Sequence, residues 1–346
     1  MPQVKHRPSP VRIPKPSRRK SAVNNERLER LTEIASLYYE ENLPQNEIAA
    51  RTGYSRSMVS RMLTEARQQG LVEIRVRHQV GRRFDLESEL KDLLGLKIVR
   101  VAMRGASDHP EMLRRLGTVA ARLVEELVCD NMNIGVSWGT AVYETVTALR
   151  SGTRSGVHVV QMIGSLGTPD PQIDGPELAR RMARTLVGNY AILPVPLFVD
   201  SEVTRQSLMN EKQIQRVTEQ FRNIELALVG VGTIDPRQAS LLRAGYLNVS
   251  QLEELHQTGT VGDVCAIHFD ISGKLIDVPL TRRIVGIDAA MLASVPLKIG
   301  VAGGQSKIRP IIGASRAKLI NVLVTDELAA SGILRDLKDD GNQIRE

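Results

Sequence analysis

Residues 44–77, PQNEIAARTGYSRSMVSRMLTEARQQGLVEIRVR, constrain this chain more than any other stretch. They set two helical periods on either side of a glycine-centred turn and close on an alternating strand. A helix is predicted just upstream, at residues 25–41, where Leu28, Leu31, Ala35 and Tyr38 recur at helical spacing and line one stripe. Pro44 suits the start of the second helix, where its missing N–H costs nothing. That helix buries Ile48 and Ala49 and is broken by Gly53, which is at ease in the left-handed conformation of a tight turn. Ser55 is placed to cap the third helix. There Val59, Met62, Leu63 and Ala66 form one inward face, and Arg56, Ser57, Ser60, Arg61 and Thr64 lie on the other. Gly70 ends the helix. Leu71 to Arg77 then alternate apolar and charged residues, as a half-exposed strand does, and are read as a wing.

A short, hydrogen-bonding, positively charged face near a helix N-terminus suits insertion into a major groove. Arg56 or Arg61 could pair with guanine or clamp a phosphate. The candidate DNA contacts are Gln45, Ser55, Arg56, Ser57, Ser60 and Arg61, with Arg75 and Arg77 of the wing on phosphates. The same periods fit any small three-helix domain, and arginine faces are most often simply solvated. Charge separates the two readings. Of 46 basic and 39 acidic residues, residues 1–83 hold 17 and 8, leaving 29 and 31 for the rest. The excess positive charge, +9 in residues 1–83 against −2 in the rest, is thus confined to the part that looks like a DNA binder, as counterion release at phosphates requires.

Residues 1–24 contain seven Lys or Arg, five prolines and no acid, a composition that predicts a disordered basic arm. Such an arm could track a minor groove or be a solvated tail. It lacks the apolar core of a secretion signal, and no stretch approaches the roughly 18 apolar residues of a membrane span. Cys129 and Cys265 stand alone, without metal-ligand spacing, and are read as buried thiols in a reducing compartment. A cytoplasmic protein with no metal and no cofactor is expected. The predicted division is arm 1–24, DNA-binding domain 25–80 and a large domain 85–346, the last opening on the amphipathic stretch DLESELKDLLGL.

In the large domain, short apolar runs alternate with helix-length amphipathic stretches. Strands are predicted at 97–103, 133–138, 157–164, 191–199, 224–232, 263–270, 297–304 and 321–326, and helices at 111–129, 175–187, 211–222 and 305–318. This order predicts an α/β domain with a mainly parallel sheet and helices on both faces. Residues 271–274 read as a β-turn between antiparallel strands. Ligands in such domains bind beyond the C-terminal strand ends. Several strands here run into glycine-rich turns, which let backbone approach a ligand and expose helix N-termini. Trp138 could stack on an apolar sugar face or belong to the core. Lys307 opposes a helix dipole, which hints at an anionic partner. Asp263, Asp270 and Asp326 could accept bonds from sugar hydroxyls, and Asp326 could equally be an N-cap.

From about Leu28 to its end the chain resembles the SorC family of bacterial sugar-responsive transcription regulators. The resemblance is carried by LPQNEIAARTGYSRSMVSRMLTEARQQGLVEIRV, IGVSWGTA, LVGVG, GTVGDVCAIHFDISG and VAGGQSKIRPIIGASRAKLINVLVTDELAA, in that order. It implies an N-terminal winged helix-turn-helix and a large domain similar in fold to sugar-phosphate isomerases and glucosamine-phosphate deaminases. It further implies assembly as a dimer or tetramer and control of operator DNA by a sugar, sugar alcohol or sugar phosphate. The effector contacts it implies are Gly135, Ser137, Trp138, Gly139, Thr140, Gly232, Thr233, Asp263, Asp270, Gly303, Gly304 and Lys307. One departure bears on the ligand. Ala141 follows Gly139-Thr140 where phosphate-binding members tend to carry a second hydroxyl. The alternative reading is an isomerase- or deaminase-like enzyme with a DNA-binding head, for which Asp263, Asp270 and Lys307 would move protons. The six histidines show no pairing that would support it.

Overall fold

A computed structural model of the chain describes residues 18–72, 81–104, 108–152, 154–167 and 171–343. Contacts divide it into two compact units, Met1–Arg77 and His78–Glu346, and each has its own core.

The N-terminal unit is built from α1 (Arg18–Tyr39), α2 (Gln45–Thr52) and α3 (Arg56–Gln68). Ile34, Leu37, Ile48, Val59 and Leu63 form its main core, with Leu31, Ala35 and Ala66 beside it. The turn between α2 and α3 follows from two residues. Gly53 sits at φ 76°, where a side chain would be strained, and its N–H bonds the Ala49 carbonyl at 3.0 Å. Ser55 is extended and its Oγ accepts from the Met58 N–H at 3.2 Å, satisfying one orphan donor of α3. Helix α3 stops at Gln68, and Gly70 at φ 73° turns the chain away. Arg27 makes bonds of 2.9 and 2.8 Å to Glu65, joining α1 to α3. Helix α1 starts at Arg18, inside the stretch expected to be a disordered arm. The prolines that argue against helix end at Pro16, and the residues after it are ordinary helix formers. Residues 1–17 and the wing residues 73–77, Arg75 and Arg77 among them, lie outside the described residues.

In the second unit the strands are β1 (Ile98–Ala102), β2 (Asn133–Val136), β3 (His158–Gln161), β4 (Asn189–Ala191), β5 (Leu226–Gly230), β6 (Thr260–Val264), β7 (Ile267–Asp270), β8 (Leu297–Val301) and β9 (Val322–Asp326). Seven of them form a wholly parallel sheet in the order β1-β9-β8-β5-β2-β3-β4. Both faces are covered, so the strands read as continuous apolar runs. On β5, Leu226 and Leu228 point into one core while Ala227 and Val229 point into the other. The first core is filled by α5 (His109–Leu127), α6 (Thr140–Ala148) and α7 (Gly175–Thr185). The second takes α4 (Phe84–Leu94) and the helices Lys212–Thr218, Val249–Gln257, Ile308–Arg316 and Glu327–Gln343. From β2 the chain proceeds to β3 and β4 on one side. From β5 it proceeds to β8 and β9 on the other. The crevice at that reversal is where open α/β sheets bind ligands. Among the described residues no helix is long and apolar enough to cross a membrane.

Two expected strands differ. The run 191–199 contributes only Ala191 to the sheet, through the edge strand β4. Pro194 and Pro196 lack the N–H a ladder needs, so the segment keeps isolated bridges from Pro196 to Ser165 and from Phe198 to Ile284. The run 263–270 is not one strand but the end of β6, a two-residue turn and the antiparallel β7. Cys265 and Ala266 both take positive φ, 52° and 58°, as a two-residue hairpin turn demands. The expected turn at 271–274 forms, with Gly273 at φ 87°. Of the two cysteines Cys265 is buried, but Cys129 is exposed just past the end of α5.

Candidate functional site

At the C-terminal ends of β2, β5 and β8 the α/β unit opens a cleft. Ser137, Trp138, Gly139 and Thr140 line it from β2 and the start of α6, and Gly232 lines it after β5. Asp263, Cys265 and Ala266 reach it from the β6–β7 hairpin, and Gly303 and Lys307 from the turn after β8.

The glycines have separate reasons to be there. Gly139 caps α6 at φ 127° with no side-chain bond to the first turn, whose residues Thr140 and Ala141 line the cleft. A Cβ on Gly232 would lie 1.8 Å from Asp263 Oδ1, so the missing side chain makes room for that carboxylate. The hairpin is further tied down by Gly232 N–H to the Asp263 carbonyl at 2.7 Å and by Ala266 N–H to Asp263 Oδ2 at 3.1 Å. Gly303 is wedged against Leu116 of α5, 2.5 Å from where its Cβ would be.

Lys307 is held by a 2.7 Å bond from its ammonium to the Val231 carbonyl. Burial pulls its pKa down to about 8, with Arg243 adding to the depression and Asp263 and Asp235 opposing it. Arg243 also lines the cleft. So does His109, which burial, Arg243 and Lys307 keep below the usual histidine value, against the pull of Asp108 and Asp326. The result is two cationic side chains and one carboxylate around a helix N-terminus.

Other expected contacts lie elsewhere. Gly135 is inside β2, packed under Met162, and does not line the cleft. Thr233 is buried, donating to the Ser306 carbonyl at 3.1 Å and accepting from Asp235 N–H at 3.2 Å, so it staples two loops together. Asp270 is outside the cleft. Its Oδ1 holds the 271–274 turn through Ser272 N–H, Ser272 Oγ and Lys274 N–H at 2.9, 2.6 and 2.9 Å. Gly304 opens instead onto a neighbouring cavity, with its N–H on Asp326 Oδ1 at 3.0 Å. Asp326 also accepts from Ala329 N–H at 3.0 Å, which is the N-cap role. Trp138 lines the cleft while packing against both cores, and its Nε1 is buried without a partner among the described residues. Sequence reading passed over His109, Gln238 and Arg243. His109 had a signal, because Asp108 caps α5 and Pro110 follows, marking a helix start. Gln238 and Arg243 had none.

In the N-terminal unit, Arg56, Ser57, Ser60 and Arg61 are exposed along one side of α3. Ser55 is occupied as the cap, and Gln45, half-buried, is the first residue of α2.

Residues 78–335 match the family model described as "Putative sugar-binding domain". The sorbitol operon regulator of Klebsiella pneumoniae is 30% identical over 314 residues, 90% of this chain and 99% of that one. The deoxyribonucleoside regulator of Bacillus subtilis is 30% identical over 305 residues, 88% and 97% of the two chains. The crystal structure of the full-length Klebsiella regulator SorC superposes with a TM-score of 0.70 over 89% of this chain and 98% of that one. With the cleft at the sheet's reversal point, these matches show that the chain belongs to the SorC family of sugar-responsive transcriptional regulators.

Proposed function

We propose that the cleft at β2, β5 and β8 is the effector site and that the exposed side of α3 is the DNA-reading face of a helix-turn-helix. The observation that carries the effector half is the charge arrangement. Lys307 and Arg243 face one carboxylate, Asp263, beside the start of α6, which has no side-chain cap among the described residues. Such a set holds an anionic group at one end of a hydroxylated ligand, with Asp263 accepting from hydroxyls. A sugar phosphate or sugar-alcohol phosphate fits, and the missing second hydroxyl at Ala141 is offset by the two cations.

In the DNA half, Arg56, Ser57, Ser60 and Arg61 stand free of the core on the first two turns of α3, the part of a recognition helix that meets base edges. Arg75 and Arg77 would hold phosphates from a wing, with operator DNA spanned by a dimer or tetramer. An effector that prefers one arrangement of the oligomer would shift its affinity for the operator. The test is the thermal midpoint of the full chain against sugars, sugar alcohols and their phosphates. A bound compound at 100 times its dissociation constant adds about 2.7 kcal/mol. A shift with phosphorylated compounds, lost in Lys307→Met, supports the reading, and no shift with any compound contradicts it. Catalysis is not part of the proposal. Of the three groups offered for proton transfer, Asp270 is committed to its turn.

A further inference from the structure

A second chamber adjoins the effector cleft, and the two share His109 and Gln238 as lining residues. Its walls are the ends of β1 and β9 and the start of α5. The two chambers differ in charge. The first sets Lys307 and Arg243 against Asp263 alone, whereas the second balances Arg104 and Arg115 with Asp108 and Asp326. A balanced chamber disfavours a second anion but matches hydroxyl groups, each of which both donates and accepts.

The bonding state of these groups sharpens the match. Asp108 Oδ1 accepts from Glu111 N–H at 3.0 Å, and its other oxygen has no partner among the described residues. Gln238 Oε1 accepts from Ser306 Oγ at 2.7 Å, leaving its amide hydrogens as donors. Arg115 gives one N–H to the Met103 carbonyl at 3.3 Å, but its Nε is buried and has no partner among the described residues. A buried donor without an acceptor is rare in a protein, and a ligand hydroxyl would satisfy it. His109 stands between the two charge sets, close enough to feel Arg243 and Lys307 on one side and Asp108 and Asp326 on the other.

We propose that the effector is an open-chain polyol phosphate, its phosphate in the first chamber and its hydroxylated chain passing between His109 and Gln238 to Arg115 in the second. This rests on the anion-holding reading of the first chamber. It assigns a length requirement: a compound too short to pass His109 loses every contact in the second chamber.

Isothermal titration of the full chain at pH 7 and fixed salt, with inorganic phosphate, glycerol 3-phosphate and sorbitol 6-phosphate, tests it. Wild type should bind the six-carbon compound about tenfold tighter than the three-carbon one, roughly one satisfied buried donor plus a neutral hydrogen bond. Arg115→Gln should erase that gap and leave inorganic phosphate unchanged. Arg104→Gln, an exposed position, should narrow the gap in the same direction without risk to the fold. Equal affinity for the two alditol phosphates in wild type overturns the second chamber while leaving the first intact. So does a gap that survives Arg115→Gln, or a variant that weakens all three ligands alike. No binding of any, inorganic phosphate included, overturns both readings.

Discussion

The two units carry their proposed sites in opposite ways. In the N-terminal unit the binding face is one side of one helix, and the residues beneath it, Val59, Leu63 and Ala66, do nothing but pack. In the α/β unit the cleft is gathered from strand ends, a hairpin and helix starts far apart in the chain, and backbone shape does much of the work. A contiguous face can lose function one surface side chain at a time with its fold intact. A gathered cleft is most sensitive at positions where no side chain fits.

Replacing Ile48 by Ala should have the largest effect. It is fully buried in a five-residue core cluster and should cost about 2–5 kcal/mol. Calorimetry of the full chain should then show an early transition from the N-terminal unit, with the main transition unmoved. A single transition shifting as a whole would break the distinction between the units.

Gly232→Ala comes next. Its Cβ would meet the Asp263 carboxylate at 1.8 Å, and overpacking of this kind costs about 1–3 kcal/mol. Effector affinity should fall while DNA affinity holds. Gly53→Ala is its counterpart. Nothing stands within 4 Å of that Cβ, so only the left-handed backbone is strained, at about 1–2 kcal/mol. DNA affinity should suffer and effector affinity hold. Titrating both ligands against both variants checks the crossover, and loss of the same ligand in both would undo it.

The smallest effect is in pH. Lys307 titrates near 8 in the folded chain, below its unfolded value, so the unfolded state binds more protons between about pH 8 and 10.5. Stability should therefore rise across that window as the burden of burying the charge is relieved. An anionic ligand needs the ammonium, so phosphate affinity should fall severalfold from pH 7 to pH 9. In Lys307→Met that pH step should vanish, and its persistence would assign the titration elsewhere.

The same contrast explains what could be read in advance. Helix α3, its Ser55 cap and the Gly53 turn are local, and the sequence carried each of them. Strands β1, β2, β3, β5, β8 and β9 were legible because parallel strands covered on both faces are short apolar runs. The β6–β7 turn was not. It uses Cys265 and Ala266 at positive φ where glycine or asparagine would have announced it. The strand order was equally hidden, and with it the proximity of Arg243 and His109 to Lys307, since neither shares an element with it. Asp270 looked like a cleft residue because the resemblance implied it and its carboxylate could accept from sugar hydroxyls. One bond pattern, its carboxylate closing the 271–274 turn, removes it.

The most direct measurement takes the double-stranded sequence that the full chain enriches from a random pool and compares its binding to wild type and Arg61→Ala at matched salt, alongside titration of the cleft ligand. Arg61 is exposed on α3 and remote from the core. DNA affinity should weaken about fivefold or more, as a lost base or phosphate contact of about 1–3 kcal/mol requires, with ligand affinity unchanged. Equal DNA affinity in the two proteins would contradict it.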